Sequence, residues 1–492
     1  MSAMLSLRNG QSAPLASVPV VAPPEFRQAV LRAATSGGRL ASFFGRNLPS
    51  GRAGLMAVLA HDRQGSLSLL ATEPGESYPA LTAECPQAHL FEREIFEQFG
   101  VMPAGHPWLK PVRFPPRAGR ACGMTEYFQV AGEEVHEVAV GPVHAGVIEP
   151  GHFRFQCHGE NVLHLEISLG YQHRGVERAL MGGPEKRSIH YAQTLAGDSS
   201  VGHAWAYCQA LEALGGGEAP PRAAALRGVA LELERIANHI GDLGALAGDV
   251  GFLPTQAYCG RLRGDALNLT AMLCGNRFGR NFLGPGAVAF DVDAKLSDEM
   301  RRRLEALGRD AASAVDLLWD SPSVTGRFEE AGKVSLEDCR RLGLVGPVAR
   351  ACGTNQDVRR DLPFGIYRYA MIPVSSWHAG DVFGRAQVRW LEAQRSMQFV
   401  RELLESLPGG AVRGEFRGPK PEHVAVSLVE GWRGEICHVA ISDARGRFSA
   451  YKITDPSFHN WFGLAMALRG QPISDFPLCN KSFNLSYCGH DL

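Results

Sequence analysis

The 492-residue sequence holds 11 cysteines but no Cys-x-x-Cys pair. The cysteines stand singly, at 85, 122, 157, 208, 259, 274, 339, 352, 437, 479 and 488. A zinc ribbon, a ferredoxin-type cluster and a disulfide scaffold all need paired or closely spaced cysteines, so each is poorly supported. An odd, scattered set fits a reducing cytoplasm. Long apolar runs are missing too. None approaches the roughly 18–20 uncharged residues of a membrane helix, and the best stretches, 14–24 and 462–468, are short or broken by proline. Nor is there an excess of charge. Lys and Arg number 50 against 51 Asp and Glu, a formal net charge of −1, which disfavours a general nucleic-acid binder. The glycine-rich pieces Gly215-Gly216-Gly217 and Gly284-Pro285-Gly286 lack Gly-x-Gly-x-x-Gly spacing after a strand. No loop for binding NAD directly is therefore expected.

What remains is ordinary globular material, 45% hydrophobic and 21% charged, with enough apolar mass to bury a sizeable core. Residues 1–24 show no basic, apolar and small-residue succession and read as a loose N-terminal arm, not a signal peptide. A helical pattern over 26–40 (Phe26, Val30, Leu31, Ala34) precedes strand patterns at 54–61 and 66–72. A helix over 88–100 follows, with Phe91, Ile95, Phe96 and Phe99 on one side and Gly100 as its stop. The proline-rich passage 106–123 cannot be regular for long and places a domain boundary near 120. Beyond it, 134–147 and 153–169 read as short strands, the second a hairpin turning near Gly159. The text is then helical to about 320. Over 222–246, Leu226, Val229, Leu233, Ile236, Ile240 and Leu243 recur in steps of three and four, behind a Pro220-Pro221 start. A second long helix, 382–407, ends at Pro408-Gly409-Gly410. Alternation at Val424, Val426, Leu428 and at Ile436, Val439, Ile441 predicts a small sheet, followed by a terminal helix and tail. The expected class is α+β: an N-terminal arm (1–24), a small α/β domain (25–120), and a mainly helical domain with small β-sheets (121–492).

Several residues carry candidate chemistry. His144, His152, His158, His164 and His173 crowd one region, but their spacing brings no three imidazoles together by local geometry. Asp249 lies in GALAGDVGFL, where no residue from 244 to 253 offers a positive charge. If buried, desolvation raises its carboxyl pKa and makes it a proton-handling candidate; otherwise it is a turn aspartate capping the next segment. Glu232, Arg235 and Asp242 read as a polar stripe, and Glu234 and His239 on the same helix receive no catalytic role. Arg350, Asp357, Arg359 and Asp361 read as a salt-bridged loop.

Wording is more specific than periodicity. FEREIFEQFGVMPAGHPWLKPVRFP (91–115) is similar to the signature of the 30-kilodalton peripheral subunit of respiratory complex I, over residues 25–118, a structural module without a cofactor. GPVHAGVIEPGHFRF (141–155) and HGENVLHLEISLGYQHRGVERAL (158–180) are followed in order by LELERIANHIGDLGALAGDVG (231–251), GRNFLGPGAV (279–288), GPVARACGTNQDVRRDLPFGIY (346–367), GDVFGRAQVRWLEAQRS (380–396) and EGWRGE (430–435). Together they resemble the 49-kilodalton subunit of complex I and, equally, the related nickel–iron hydrogenase large subunits. The fused order, small unit before large, is most similar to group 4 energy-converting hydrogenases of the formate hydrogenlyase type.

That resemblance implies a nickel–iron site held by four thiolates from two Cys-x-x-Cys pairs. The corresponding positions are Ala196 and Ser199, then Ser486 and Gly489, so no metal is expected. The chain is then similar to the hydrogenase-related complexes that lack the nickel cysteines. The complex I side implies a quinone headgroup cavity in the vacated pocket, near the C-terminal tail with Ser486. His144 matches its histidine and Gly197 falls where the family has a tyrosine, with Tyr191 or His203 as substitutes. Arg350 and Asp357 flank that cavity, and Asp249 matches an aspartate on the coupling route to the membrane arm. His144 and Asp249 are the leading catalytic candidates. The implied protein is a peripheral-arm subunit on the cytoplasmic side of the inner membrane. An Fe–S small subunit and membrane subunits would be its partners, coupling electron transfer to ion translocation. This chain itself holds no cluster and is not expected to be catalytic in isolation. The competing readings are an active group 4 hydrogenase and a redox-inert scaffold.

Overall fold

The computed structural model describes residues 4–114, 125–144 and 148–492. Its N-terminal part carries β1 (Leu5–Leu7), β2 (Ser12–Pro14), β3 (Val20–Val21), α1 (Pro23–Thr35), β4 (Arg39–Asn47), β5 (Ala53–His61), β6 (Ser66–Thr72), β7 (Ser77–Pro79), α2 (His89–Phe99) and β8 (Met102–Ala104). β4, β5 and β6 form an antiparallel meander. The unbroken apolar run of β5 has a reason: it is buried on both faces. Leu55, Ala57 and Leu59 pack with Phe26, Phe43 and Phe91, while Met56, Val58 and Ala60 join the main core of the molecule. α2 ends at Gly100 in the left-handed region, as expected. The boundary placed near 120 falls within 115–124, outside the described residues.

The arm is not loose. β1 pairs with β6, β3 pairs with β6 in parallel, and β2 adds to the edge of the C-terminal sheet. Between these strands the buried Asn9 amide donates to Leu362 O (2.7 Å) and Leu428 O (2.8 Å). Its carbonyl accepts from Leu428 N and Gln209. With all its hydrogen-bonding capacity used, one side chain ties the arm to the distant unit.

The second part opens with the sheet β9 (Val135–Val140), β10 (His152–His158) and β11 (Asn161–Ser168), the hairpin turning at Gly159 as expected. Then come α3 (Val176–Leu180), α4 (Ser188–Gln193), α5 (Ser200–Gly215), α6 (Pro221–Asp249), α7 (Leu253–Cys274), the short pair β12 (Leu283–Gly284) and β13 (Ala287–Val288), and α8 (Ala294–Trp319). Four short helices, α9 (Pro322–Phe328), α10 (Leu336–Leu342), α11 (Gly346–Ala351) and α12 (Val358–Asp361), lead to α13 (Val382–Glu405). β14 (His423–Gly431), β15 (Gly434–Ser442) and β16 (Phe448–Thr454) form an antiparallel sheet that β2 completes.

The helix α6 is the axis of this unit and packs against α7 and α13. The supposed polar stripe of Glu232, Arg235 and Asp242 is buried along with the apolar one. The tail is not a tail either: α14 (Pro456–Ala467), α15 (Phe476–Phe483) and α16 (Tyr487–Asp491) fold into the core. Leu492 is 1% exposed, and its carbonyl accepts from Arg174 N (2.8 Å) and Gly175 N (3.0 Å). Asp491 accepts from Gly170 N and Gln172 N, which fixes the polar bend before α3. Among the described residues, no helix is long and apolar enough to cross a membrane.

Candidate functional site

Two distant segments converge at the start of α5. Arg174 donates to Thr194 O (3.0 Å), Leu195 O (2.9 Å) and Cys488 O (3.0 Å), bridging the 194–199 turn and the C-terminal helix. The Gly197 N–H donates to the Cys488 thiol. The Ser457 hydroxyl accepts from Ser486 N (2.8 Å), and the Ser486 hydroxyl, as the cap of α16, accepts from Gly489 N (2.9 Å). So Ala196, Gly197, Ser199, Ser486 and Gly489 gather in one region. Ala196 is fully buried, whereas Gly197 is exposed and a Cβ there would meet open space.

The loop bearing His144 lies on the same tail. His144 is half-buried, with Nε2 3.0 Å from Gly151 O. Gly151 has no room for a side chain, because a Cβ would sit 2.5 Å from the Tyr487 ring. Glu149 accepts from Cys488 N (3.2 Å) and Tyr487 N (3.4 Å). The residues following His144, 145–147, lie outside the described set. Tyr191 is half-buried on α4.

These residues do not fit a nickel ion. None of the four positions offers a thiolate, and at Gly489 the space itself is taken. A Cβ on Gly489 would stand 2.7 Å from the Asp455 carboxyl carbon. Cys488 is no substitute, because burial, helped by Glu149, pushes its thiol up to about 11 and keeps it protonated. Among the described residues, no group of three His, Cys, Asp or Glu side chains is arranged to hold a metal.

Behind Asp455 runs a line of buried polar groups. Asp455 caps α14, with Oδ1 accepting from Ser457 N (2.8 Å). His203 Nε2 lies 3.0 Å from Asp455 Oδ2, and His203 Nδ1 lies 3.1 Å from His438 Nε2. His438 Nδ1 is 2.9 Å from the Tyr451 hydroxyl. Burial alone would raise the Asp455 carboxyl. The hydrogen bond from His203, then the charge of Arg433, outweigh it and hold the group below its usual range. Burial, reinforced by His203, keeps the His438 ring well below the usual imidazole value, hence neutral. Arg433 pairs with Asp198 (2.7 Å) and lies over the Trp432 ring (4.0 Å).

A second buried cluster lies along α6. Arg350 meets Glu392 (2.8 Å), Glu430 (2.9 Å) and Asp357 (3.7 Å). Arg359 meets Asp357 (2.6 Å) and Glu232 (3.1 Å), and Arg235 pairs with Glu232 (3.0 Å). His239 Nε2 is 2.9 Å from Glu392. Arg350 and Asp357 are therefore salt-bridged, as the loop reading had it, but within a fully buried network. Asp249 meets neither condition of its reading in full. It ends α6 exposed to solvent; local desolvation still raises its carboxyl, and Lys481, invisible in the local sequence, draws it back. Reading the sequence missed Asp455, His438, Tyr451, Glu392 and Glu430. The phrases EGWRGE and GDVFGRAQVRWLEAQRS contained two of them.

Comparison with known proteins agrees with this architecture. Residues 249–420 match the family described as the respiratory-chain NADH dehydrogenase 49 Kd subunit, and residues 30–121 match the 30 Kd subunit family. The chain is 31% identical over 350 residues to the carbon monoxide-induced hydrogenase of Rhodospirillum rubrum, covering 71% of this chain and 97% of that protein. It is 29% identical over 439 residues to formate hydrogenlyase subunit 5 of Escherichia coli, covering 83% and 76%. It is 30% identical over 370 residues to NADH-quinone oxidoreductase subunit 4 of Thermus thermophilus, covering 70% and 90%. The chain belongs to the superfamily of complex I 49-kilodalton-type subunits and hydrogenase large subunits, oxidoreductase subunits all, with a 30-kilodalton-type unit fused in front.

Proposed function

We propose that this chain is a nickel-free peripheral-arm subunit of a membrane-bound, complex I-like oxidoreductase, docked on the cytoplasmic side of the inner membrane. In this reading a quinone-type acceptor enters the region between 196–199 and 486–489, beside an Fe–S cluster held by a partner subunit. The observation that carries it is the Asp455 carboxylate, seated where a side chain at 489 would begin. A metal-binding thiolate cannot share that space, whereas a hydrogen-bonding acceptor suits a region edged by His144, Ser486 and open volume at Gly197. In this reading the half-buried His144 ring reaches the acceptor's carbonyl oxygen when its Nε2–H turns away from Gly151 O, and NAD has no role in this chain.

Coupling to ion translocation would run along α6. Asp242 is buried, accepts from Asn484 (2.5 Å) and pairs with Arg389 (3.2 Å). Asn484 O in turn accepts from Arg433 (2.5 Å), which ties this end of the helix to the site. Asp249 lies two turns further on, about 10 Å along the axis, at the exposed end available to a partner.

The test uses the purified assembled complex. Nickel content, hydrogen evolution and oxidation of the dithionite-reduced complex by a short-chain quinone are measured for the wild type and His144→Ala. The expected result is no stoichiometric nickel, no hydrogen, and quinone reduction that collapses in the variant. Nickel at one ion per chain overturns the reading. Quinone reduction indifferent to His144→Ala favours the inert scaffold instead.

A further inference from the structure

We propose that Asp455, His203, His438 and Tyr451 form a proton-transfer chain that delivers protons to the region between 196–199 and 486–489, resting on the reading of that region as an acceptor site. The four groups come from four elements: the cap of α14, the first turn of α5, the middle of β15 and β16. They are linked by consecutive contacts of 3.0, 3.1 and 2.9 Å. The four residues are 1%, 0%, 0% and 5% exposed, so bulk water does not interrupt the line.

The relay uses one assignment of hydrogens, with a single N–H on each ring, and it satisfies every contact. The Asp455 carboxylate only accepts, so His203 donates from Nε2. His203 then accepts at Nδ1, which requires His438 to donate from Nε2. His438 is left to accept at Nδ1, from the Tyr451 hydroxyl. Every donor thus points toward Asp455, and Asp455 is pressed against Gly489 at the site. At the other end the Tyr451 ring packs near Tyr207 (centroids 6.2 Å apart), whose hydroxyl bonds Ser188 beside the exposed Glu185. The other titratable groups facing the chain are Arg433 and His459 at Asp455, and Tyr207, Cys208 and Cys437 at Tyr451.

The step balances. Electrons reach the acceptor from the partner's cluster. The Nε2 proton of His203 passes to the Asp455 carboxylate, which gives it on to the reduced acceptor's oxygen: that O–H bond forms as the carboxyl O–H breaks. As His203 loses that proton, the Nε2 proton of His438 passes to His203 Nδ1, and the Tyr451 proton passes to His438 Nδ1. Tyr451 is reprotonated from the Tyr207 side. One proton enters and one leaves, the residues' net charge is unchanged, and both rings, left as Nδ1–H tautomers, return to Nε2–H before the next proton moves.

Two variants test the chain in the assembled complex. His438→Gln keeps a polar, hydrogen-bonding side chain but cannot relay a proton, and Tyr451→Phe removes the terminal donor. Each is expected to lower quinone kcat by roughly 10²-fold, while KM and reduction of the partner's cluster by dithionite stay at wild-type values. A merely structural role would shift thermal stability and KM together and spare kcat in His438→Gln. Wild-type kcat in both variants overturns the chain and leaves the acceptor reading standing. The second measurement needs no acceptor. In the full chain labelled with ¹⁵N-histidine, His203 and His438 are expected as neutral Nε2–H tautomers. Opposed tautomers or an imidazolium overturn the chain. A wild-type complex that cannot reduce quinone overturns the acceptor reading alone, and the tautomers then decide the relay.

Discussion

Two polar regions are buried side by side in this protein, and they are built from opposite materials. Around α6, the guanidinium groups of Arg235, Arg350 and Arg359 face the carboxyls of Glu232, Asp357, Glu392 and Glu430. Behind Asp455 the groups are rings and hydroxyls, with one carboxylate at the end. In the first region each charge exists because a partner compensates it. Burial would raise Glu392, but Arg350 and His239 hold it well below the usual carboxylate range, and Arg235 with Arg359 hold Glu232 down at about 2. Glu392 and Glu232 therefore stay ionised near neutral pH and clamp helix to helix. The second region holds no such debt of charge, and its protons can shift without stranding an ion. The same degree of burial therefore serves rigidity in one place and transfer in the other.

The comparison breaks most directly at Glu392. Glu392→Ala leaves Arg350, Arg235 and His239 facing an empty, dry volume. Removing one partner from a buried pair costs about 3–5 kcal/mol, a large share of the roughly 5–15 kcal/mol that holds a domain together. Urea unfolding of the variant is expected to show that loss or outright failure to fold. Tyr451→Phe only strands one imidazole nitrogen, for about 1–3 kcal/mol. If the two variants lose the same stability, the division into clamp and relay is wrong.

Dependence on pH separates the raised carboxyls from the depressed ones by sign. Glu234 belongs to the relay side: its carboxyl accepts from Val201 N (2.7 Å) and Gly202 N (3.1 Å), the turn that carries His203. Burial pushes it up to about 8 against the pull of those N–H groups. Its folded value lies above the unfolded one, so its contribution is complete below about pH 4.5 and is lost as pH rises through about 8. The slope approaches ~1.4 kcal/mol per pH unit in that window. Glu430, where four carboxyls meet three guanidiniums, is pushed to about 7 by burial and adds in the same direction. Glu392, Glu232 and Asp357 act oppositely: depressed in the fold, they stabilise above the ordinary carboxylate range and fail as pH falls through their folded values. Urea midpoints between pH 5 and 8 should decline in the wild type and decline less steeply in Glu234→Gln, where only Glu430 remains.

Gly489→Ala probes the boundary where the relay meets the site. Its Cβ must displace Asp455, and overpacking of this kind costs about 1–3 kcal/mol. The same variant is expected to slow quinone turnover, since the carboxylate that moves is the one nearest the acceptor. An unperturbed protein would mean that the carboxylate does not fill this space in solution.

How much of this could be read beforehand depended on the range of the interactions. α6, α13 and the β10–β11 hairpin were legible because their periods are local. The arm was not, since β1, β2 and β3 are two or three residues long and exist only through distant edges. Charged residues at 232, 235, 239 and 242 repeat with the spacing of a solvated stripe. Only the packing of α13 and β14 against α6 shows that this face is dry. The absence of cysteine at 196, 199, 486 and 489 was visible as wording. The relay was not, because His203 meets His438 and Asp455 across 235 and 252 residues. For Asp249 the sequence left burial open, and the helix ends with it at the surface.

Asp249 supplies the smallest expected change in stability and the sharpest limit on the comparison. It belongs to neither buried region. Lys481 is the charge that acts on it, and an exposed substitution away from specific contacts stays within about ±0.5 kcal/mol. Asp249→Asn should therefore leave the urea midpoint of the full chain unmoved and quinone reduction by the assembled complex intact. If α6 carries the coupling, proton translocation per electron nevertheless falls in that complex, because the carboxyl at the free end of the helix is where a membrane subunit would make contact. A variant that reduces quinone and pumps like the wild type would confine the function of this chain to the Asp455 site, and α6 would then be a clamp along its whole length.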